Sequence, residues 1–400
     1  MTKVEEELLK ILKDCMKVKL IRIATVPISI NFLLKGQMRF LNKYFEVVGI
    51  SSNGEELETM GKREGVKVIG VDMERRINLL KDVKSLFNMY IQFKKEKPTV
   101  IHSITPKAGL ISMLAGKMAR VPIRMHTFTG LIFPTETGFK KKLLIKIDQI
   151  LCWAATHVYP EGNGVKNDLI HYKVTSKPLK VLANGNVNGV DIHYYSQERI
   201  SEKIKNKLKI DLGIHENDFV FVFVGRMVGD KGVNELIRAF SRLNKSYPNT
   251  HLILVGQYEK ELDPITPEAE NLINNTKNIH PVGFRINVED YYAISHVLLH
   301  PSYREGFPNS VLQAGAMELP CIVTDINGSN EIIQNNINGL IIPVKDETAL
   351  LEAMCKILND VDFYNRLKSN TRKIIIEKFE QSVVWNALLA EYNENIKGLR

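Results

Sequence analysis

Phe219-Val-Phe-Val-Phe-Val-Gly-Arg-Met-Val-Gly-Asp-Lys-Gly232 joins an unbroken apolar run to a loop that contains three glycines. A short run of β-branched and aromatic residues without polar alternation is typical of a strand buried on both faces of a sheet. The segment Asn234 to Leu243, directly after the loop, has the pattern of a helix. A strand, a tight loop and a helix in this order form the repeating unit of an open parallel sheet.

The same unit recurs along most of the chain. Helical stretches such as Ile77 to Lys95 and Ala108 to Ala119 separate the apolar runs. Strands are predicted in the first half at Val18 to Val26, Phe45 to Ser51, Val66 to Val71, Val100 to Ser103, Ile123 to Phe128, His157 to Tyr159 and Lys180 to Gly185. Strands are predicted in the second half at Phe219 to Val224, His251 to Val255, His280 to Gly283, Val297 to His300, Cys321 to Thr324 and Gly339 to Ile342. The alternation predicts an α/β protein with two doubly wound sheets.

The length of 400 residues is too great for one ordinary core and suits two domains. The lysine-rich segment from Glu202 to Lys209 separates the two series of strands. We therefore predict a first domain over 1–200 and a second over 201–380. Residues 381–400 form a last helix that is a candidate to cross back to the first domain.

The composition limits the class of partner. A hydrophobic content of 44% and a charged content of 25% are typical of a globular enzyme. The net charge of +9 favours an anionic partner but does not choose between nucleic acid, an acidic membrane and phosphorylated small molecules. Because the chain has neither an RNA-binding aromatic and basic platform nor a zinc-finger or basic-zipper pattern, we expect no nucleic-acid partner.

The cysteines and the apolar runs predict a cytoplasmic location. The four cysteines, Cys15, Cys152, Cys321 and Cys355, have no spacing typical of a zinc site or a disulfide framework. The N-terminal run around Glu5-Glu6-Glu7 lacks the apolar core of a secretion signal. The longest apolar runs fall far short of the roughly 20 residues that cross a bilayer.

A second motif, His300-Pro-Ser-Tyr-Arg-Glu-Gly-Phe-Pro-Asn-Ser-Val-Leu-Gln313, sets a carboxylate and Gly and Pro kinks just ahead of a helix. Ligands of open parallel sheets gather at the carboxyl ends of strands, where helix N-termini point N–H groups outward. Arg226 and Lys231 follow a strand in the same way, and cations of these two kinds suit a departing diphosphate. With Glu305 for sugar hydroxyls, the two motifs favour transfer of a sugar from a nucleotide donor.

Simpler interpretations of these charged residues are also open. Arg226 and Lys231 fit ordinary surface ion pairs, although Gly225 and Gly232 beside them favour a ligand site. Glu305 fits an acid that is stabilised by the dipole of the following helix. Capping of the helix and binding of a sugar are compatible, so a capping role for Glu305 does not exclude sugar binding.

The motifs resemble those of the retaining glycosyltransferases of family 4, which have the GT-B fold of two Rossmann-like doubly wound domains facing across a cleft. Within the family, Leu34-Lys-Gly-Gln37 is similar to an early segment of bacterial enzymes that build capsular, exopolysaccharide or O-antigen units. The resemblance rests on Phe223-Val-Gly-Arg-Met227 with Lys231, Ser302 to Ser310, Thr324 to Glu331, and Asn338-Gly-Leu340.

The resemblance implies the role of each site residue. Arg226 and Lys231 would hold the donor diphosphate, and Glu305 would accept hydrogen bonds from the sugar hydroxyls. The backbone N–H groups of the loop after Glu305 would contact sugar and phosphates. The implied donor site comprises Gly36, Gly225, Arg226, Lys231, Glu305, Gly306, Phe307, Asn309, Ser310 and Gln313.

Gln313 departs from the family pattern, in which a second acid lies eight residues after the first and grips the ribose diol. A carboxylate accepts bidentate hydrogen bonds, whereas a carboxamide offers one acceptor oxygen and a donor group. Charge-assisted hydrogen bonds are about twice as strong as neutral ones. Binding of the nucleoside should therefore be weaker here, or arranged differently.

By the same resemblance, the first domain should hold the acceptor and a catalytic histidine. Relatives place a histidine near the reacting sugar in the region of Arg124 to Gly130; His126 is the candidate, although Thr129 stands where relatives often have histidine. His126 also fits a buried structural role, and His102 follows another strand. Gly36 would lie near the diphosphate or serve as a simple turn glycine.

The resemblance implies a retaining hexosyltransferase that needs no metal and no cofactor. It would move a hexose or N-acetylhexosamine from a UDP-sugar to a glycan acceptor, lipid-linked, in bacterial surface polysaccharide synthesis. UDP follows from family frequency, and no Asp-x-Asp pair at a strand end offers a metal site. The alternative is a UDP-amino-sugar epimerase of the same fold, against which the Glu305 to Asn309 loop argues.

A basic cluster, Lys140-Lys-Lys142, begins an apolar helix that continues to Trp153. Such a cluster is a candidate to dock on anionic lipid headgroups at the inner face of the cytoplasmic membrane, beside a lipid-diphosphate acceptor. The alternative is a solvated helix end above a buried stripe.

Overall fold

A computed structural model describes residues 17–74, 78–259 and 263–399, so the N-terminal run around Glu5 lies outside the described residues. The chain divides into two compact units. The first unit takes in the chain up to Glu161, Val165–Asn188 and the part from Val384 onward; the second takes in Gly162–Gly164 and Gly189–Val383. The main boundary therefore falls at 188/189 rather than at 200/201, and the last helix clusters with the first unit.

The strands form one six-stranded sheet in each unit, and all pairings within both sheets are parallel. The α/β prediction of two doubly wound sheets is thus confirmed. The strands are β1 (Lys19–Ile23), β2 (Glu46–Ser51), β3 (Lys67–Gly70), β4 (Val100–Ser103), β5 (Ile123–Phe128), β6 (His157–Pro160), β7 (Phe219–Val224), β8 (Thr250–Val255), β9 (Ile279–Gly283), β10 (Val297–His300), β11 (Cys321–Thr324) and β12 (Gly339–Ile342).

Helices connect most of the strands. In chain order they are α1 (Pro27–Leu33), α2 (Gln37–Leu41), α3 (Glu55–Glu64), α4 (Leu79–Glu96), α5 (Pro106–Met118), α6 (Gly138–Ala154), α7 (Asn163–His171), α8 (Glu202–Leu212), α9 (Val233–Ser246), α10 (Pro267–Asn275), α11 (Val288–Ala293), α12 (Asn309–Ala316), α13 (Ser329–Ile332), α14 (Glu347–Asn359), α15 (Val361–Phe379) and α16 (Gln381–Lys397). Within the described ranges, no helix is both long and apolar enough to cross a bilayer.

The two sheets share one strand order. The first has the order β3-β2-β1-β4-β5-β6, and the second, β12-β11-β10-β7-β8-β9, is the same order when its strands are counted from β7. In this arrangement the chain winds outward in one direction and then in the other, so the order reverses between β1 and β4 and between β7 and β10. In open α/β sheets, the loops at the carboxyl ends of the two strands that meet at such a reversal flank the crevice where ligands bind.

One predicted strand is wrong. Residues 180–185 form no strand; Leu179 makes only an isolated bridge to Val158, and Gly185 N–H donates to the Leu182 carbonyl in a turn. Ala183 and Gly185 have φ of 49° and 99°, values that an extended strand does not accommodate. The strand predicted at Val18 to Val26 is also shorter, because Pro27 begins α1.

Each sheet is covered by apolar helix faces on both sides. In the first unit, α4, α5 and α6 bury their inner faces in one cluster with β1, β2 and β4. The opposite face of that sheet packs against α1, α3 and α16. In the second unit, α9 and α14 cover one face, while α12 and the C-terminal part of α15 cover the other.

Candidate active site

The two predicted motifs meet at the carboxyl edge of the second sheet. Lys231 ends a short 3₁₀ turn, Gly229–Lys231, in the loop after β7. Glu305 lies in the loop after β10, the strand that pairs with β7 where the strand order reverses. The topology therefore places both residues at the crevice in which open α/β sheets bind ligands.

Lys231 and Glu305 form an ion pair. Lys231 Nζ lies 2.5 Å from Glu305 Oε1, and both side chains are largely withdrawn from solvent. His300, the last residue of β10, places Nε2 3.1 Å from the same oxygen. No hydrogen bond or ion pair from the described residues involves Oε2, so that oxygen remains available to accept from a hydroxyl.

Glu305 is held in its ionised form. Burial alone would raise the pKa of the carboxyl, but Lys231 and His300 beside it hold the pKa well below its usual range. A carboxylate is an acceptor-only group and forms charge-assisted hydrogen bonds with hydroxyls. Glu305 is therefore suited to bind a sugar rather than to donate a proton near neutral pH.

Gly232 brings the two loops into contact. Its φ is 67°, and a Cβ at this position would lie 2.0 Å from the Pro301 carbonyl oxygen. Two residues earlier, the Asp230 carbonyl accepts from Tyr303 N–H at 2.8 Å and from Ser302 Oγ at 3.3 Å. Only a residue without a side chain permits this approach, which sets Lys231 opposite Glu305.

A third loop supports the Glu305 loop from the other side. A Cβ at Gly328, whose φ is 75°, would lie 2.2 Å from the Gly306 carbonyl oxygen. Thr324, at the end of β11, donates its hydroxyl to the Ser302 carbonyl. The Glu305 loop is thus fixed by close contacts on both sides.

The loop leads into α12, which begins at Asn309 after Pro308. The first N–H groups of an α-helix have no acceptor within the helix and point toward the loop end. Phe307 packs into the core against Phe379, which anchors the loop. Ser310, in the first turn, places Oγ 3.5 Å from His300 Nδ1. This arrangement suits a phosphate or sugar oxygen at the helix N-terminus.

Arg226 follows Gly225, whose N–H donates to the Val255 carbonyl at 3.0 Å at the end of β8. Arg226 Nη1 lies 2.8 Å from Glu259 Oε2, and nearly half of the arginine side chain is exposed. The simpler interpretation, a surface ion pair, therefore describes Arg226 in this structure. Such exposed pairs contribute only about 0–1 kcal/mol, so Arg226 can exchange Glu259 for another anion at little cost.

Gln313 lies on α12, four residues after Asn309 and partly exposed. Positions four apart share one face of a helix. Gln313 is therefore on the same side of α12 as the residue that begins the helix. Its ribose role stays a prediction.

Sequence reasoning gave no role to several residues that position the site. His300 was the first residue of the quoted motif, and its place at a strand end was the available signal. Glu259, the partner of Arg226, and Asp263, which accepts from Asp230 N–H at 2.6 Å, come from a distant loop. No local pattern links them to the motif.

Gly36 in the first unit has φ 82° and precedes α2. Its N–H donates to Glu64 Oε1 at 3.0 Å, and the other oxygen of Glu64 accepts from Arg39 N–H at 3.1 Å. The turn conformation requires glycine, and the amide already has an acceptor. Its contact with a diphosphate stays a prediction.

His126 lies inside the first sheet on β5 and is 1% exposed. Its Nδ1 lies 2.8 Å from Ser103 Oγ, and its ring packs edge-on against Phe128 with centroids 4.6 Å apart. Burial lowers the pKa of His126 to about 3. These contacts favour a structural role for His126. A catalytic role would require a path from this buried ring to substrate.

The side chains of His102 and Thr129, the other two candidate positions, also form hydrogen bonds within the first unit. His102 is buried and contacts Arg22, Tyr392 and Thr127 through its ring nitrogens. Thr129, just past the end of β5, donates its hydroxyl to the Ile104 carbonyl at 2.8 Å. Thr129 is only partly buried, so of these three positions it is the most accessible.

Comparison with known proteins decides the family. The model of group 1 glycosyl transferases matches residues 201–374, and the model of the glycosyl transferase 4-like domain matches residues 44–185. The chain is 32% identical over 383 residues to the capsular polysaccharide biosynthesis glycosyltransferase CapM of Staphylococcus aureus, covering 95% of this chain and 98% of that protein. The chain belongs to glycosyltransferase family 4.

Two further similarities concern a curated enzyme and a solved structure. The Escherichia coli UDP-Gal:alpha-D-GlcNAc-diphosphoundecaprenol alpha-1,3-galactosyltransferase is 28% identical over 307 residues, which are 76% of this chain and 78% of that one. HepE of Anabaena, solved in complex with UDP and glucose, matches with a TM-score of 0.80 at 17% identity, covering 94% of this chain and 100% of that one. The GT-B fold is thereby confirmed, and the epimerase alternative is not favoured.

The contact at Gly232 gives a stability test in this family 4 glycosyltransferase. Gly232→Ala introduces both the left-handed strain of a Cβ, roughly 1–2 kcal/mol, and a clash with the Pro301 carbonyl. Gly213 has a similar φ of 65° with no atom within 4 Å of its Cβ position, so Gly213→Ala carries the strain alone. We expect thermal denaturation to show a larger loss for Gly232→Ala and glycosyl transfer to fall about a hundredfold only in that variant. Equal losses in both variants would contradict the positioning role.

The burial of His126 gives a second test. In His126→Asn the amide oxygen can replace Nδ1 toward Ser103, but the aromatic contact with Phe128 is lost. We expect the free energy of unfolding to fall by about 1–3 kcal/mol while kcat stays within about threefold of the parent. His193→Asn, at an exposed position, is the matched control. A kcat loss of about a hundredfold with unchanged stability would instead assign catalysis to His126.

Proposed function

We propose that this glycosyltransferase moves a hexose or N-acetylhexosamine from a UDP-sugar to a lipid-linked glycan acceptor in the synthesis of bacterial surface polysaccharide. The observation that carries the donor half is the Lys231–Glu305 pair at the N-termini of α9 and α12. The acceptor half is supported by the relatives, one named for capsular polysaccharide and one for a diphosphoundecaprenol-linked acceptor. The UDP complex of HepE supports the choice of nucleotide.

The Lys231–Glu305 ion pair leaves hydrogen-bonding groups on both side chains free to bind the nucleotide sugar. An ammonium group has three N–H donors, and Glu305 takes one of those of Lys231. The other two can bind oxygens of the diphosphate. Glu305 Oε2 can accept from a sugar hydroxyl, which would fix the orientation of the donor sugar.

Departure of UDP builds negative charge on the diphosphate. Lys231 and the helix N-termini of α9 and α12 supply fixed positive potential at that place, and this stabilisation grows as the bond breaks. Arg226 joins when the diphosphate replaces its exposed partner Glu259. These groups do the work that a divalent cation does in metal-dependent transferases, and we propose a reaction without metal and with retention of anomeric configuration.

The function is tested by supplying UDP-sugars one at a time with a diphosphoundecaprenol-linked sugar as acceptor. We expect one or a few donors to raise the melting temperature, as ligands of the folded state do. The same donors should yield an α-linked product by NMR, in EDTA as well as in magnesium. Lys231→Gln and Glu305→Gln should each reduce transfer at least about a hundredfold.

A surface carboxylate provides the control for those variants. Glu202→Gln removes an exposed acid that pairs with Lys205 at 2.9 Å, and transfer should be unchanged. Activity lost in EDTA and restored by magnesium would contradict the metal-independent mechanism. An isomerised UDP-sugar formed without acceptor would replace the transferase proposal with the epimerase.

Gln313→Glu tests the ribose assignment separately. If residue 313 faces the ribose diol, a carboxylate there would accept two hydroxyl donors in place of one. We expect calorimetry to show tighter UDP binding or no change. A tenfold weaker affinity would remove Gln313 from the nucleotide site.

A further inference from the structure

Helix α4 has an apolar stripe on its solvent side. Its inner face buries Ser85, Met89, Phe93 and Glu96, as expected for a surface helix. Its outer face carries Leu80, Val83, Phe87 and Ile91, of which Leu80 is 86% and Phe87 60% exposed. The outer face of a helix in a globular protein is normally polar, so this stripe is unusual.

Helix α6 repeats the pattern. Phe139, Leu143, Ile150 and Trp153 follow one another at helical spacing, and Phe139 is 81% and Trp153 61% exposed. The opposite side of α6 buries Leu151, Cys152 and Ala154.

The two stripes face the same way. The inner residues of α4, α5 and α6 belong to one core cluster on one face of the first sheet. Helix α5 packs against both α4 and α6, and Lys117 of α5 lies over the Trp153 ring of α6 at 4.1 Å. The outer stripes of α4 and α6 therefore form one surface on the side away from the sheet, which we call the outer helical surface.

Lysines flank both stripes. Lys84, Lys94 and Lys95 lie beside the apolar residues of α4, and all three are exposed. Lys142 and Lys146 are exposed beside those of α6. None of these five has an ion-pair partner among the described residues. Long basic side chains around an apolar stripe can keep their charges at headgroup level while their stems cover apolar surface.

The acids of these helices lie elsewhere. Asp82 pairs with Lys107 at 2.8 Å, and Asp148 is on the inner side of α6, where burial raises its pKa to about 7. The outer helical surface is therefore apolar and cationic without compensating carboxylates on its two stripes.

We propose that the outer helical surface is a membrane-docking surface that inserts the apolar stripes of α4 and α6 into the interface of an anionic bilayer. This inference rests on the proposed function, because a lipid-linked acceptor must be reached at the bilayer. A helix with this pattern lies in the interface plane, and its binding strength follows the buried apolar area and the attraction to anionic lipid. A second copy of the chain is a poorer occupant, since symmetric pairing would bring uncompensated lysines together.

The structure also corrects which lysines of the basic cluster serve this role. Lys140 pairs with Glu136 at 2.7 Å, and Lys141 lies over the Tyr172 ring at 4.5 Å. Of the three lysines that begin α6, only Lys142 is on the outer helical surface without a partner within the described residues.

The proposal is tested by flotation of the full chain with vesicles of phosphatidylcholine alone or mixed with phosphatidylglycerol. We expect binding to the anionic vesicles only. A variant that combines Leu80→Ser, Phe87→Ser and Ile91→Ser should bind at least about tenfold more weakly. Replacing Lys84, Lys94 and Lys95 by glutamine should weaken binding about a hundredfold, at about fivefold per lysine.

Matched controls come from the second unit. Ile204, Ile210 and Val361 are exposed apolar residues on α8 and α15, and their serine variant should float like the parent. A lysine control replaces three exposed lysines by glutamine, Lys203, Lys207 and Lys277. All variants should keep the parent's melting temperature and its shift with UDP, which reports the donor site independently.

The outcomes separate docking from function. Vesicle binding that is unchanged in both α4 variants, or absent in the parent, would overturn the docking surface even if transfer to a short-chain acceptor proceeds. A parent dimer that dissociates in the serine variant, with no vesicle binding, would assign the surface to a second copy instead. Vesicle binding without transfer would leave docking intact and remove the proposed function.

Discussion

The close approach of backbone at Gly232 and Gly328 is the constraint on which the proposed donor site depends. Each glycine has a positive φ, and a Cβ at either would lie within 2.2 Å of a carbonyl oxygen of the 301–306 segment. The segment is thus gripped between the loop after β7 and the loop after β11, neighbours on either side of β10. Glu305 owes its position to these backbone contacts, and its charge then determines what binds there. This separation lets the carboxylate accept a further partner without movement of the loop.

The charges of the site follow from that rigidity. In the structure Lys231 and Arg226 each contact a carboxylate, Glu305 and Glu259, but the two pairs differ in exposure. The Lys231 pair is shielded, and breaking it would leave a buried charge uncompensated, a strongly unfavourable change. The Arg226 pair is half exposed and weak. A diphosphate would therefore bind Lys231 without breaking its pair with Glu305. At Arg226, by contrast, the diphosphate would replace Glu259.

Much of the fold could be predicted because its strands and helices follow from local patterns of apolar and polar residues. The bounds of β4, β5, β7, β10, β11 and β12 agree with the predicted ones, since buried parallel strands appear as short apolar runs. The strand predicted at 180–185 failed because positive φ at Ala183 cannot be seen in an apolar run. In the site, Lys231 and Glu305 were predicted by loop position, whereas Glu259 and Asp263 were not, because their contacts join loops distant in sequence. The burial of His126 likewise arises from packing against Ser103 and Phe128 rather than from its own segment.

The net charge of +9 could not by itself name a partner, and the structure shows why. Positive charge occurs in two different settings. In the second unit the cations of the site lie beside carboxylates and helix N-termini, an arrangement that selects a compact anion by geometry. In the first unit the lysines of α4 and α6 flank exposed apolar side chains with no carboxylate on either stripe, an arrangement that suits a broad anionic surface with an apolar interior.

Screening by salt acts differently on the exposed lysines and on the shielded Lys231–Glu305 pair. Exposed lysines lose their long-range attraction within a Debye length of about 8 Å at physiological ionic strength, whereas a shielded pair is screened much less. If both proposals hold, added salt should release the first unit from an anionic surface before it weakens ligand binding at the proposed donor site.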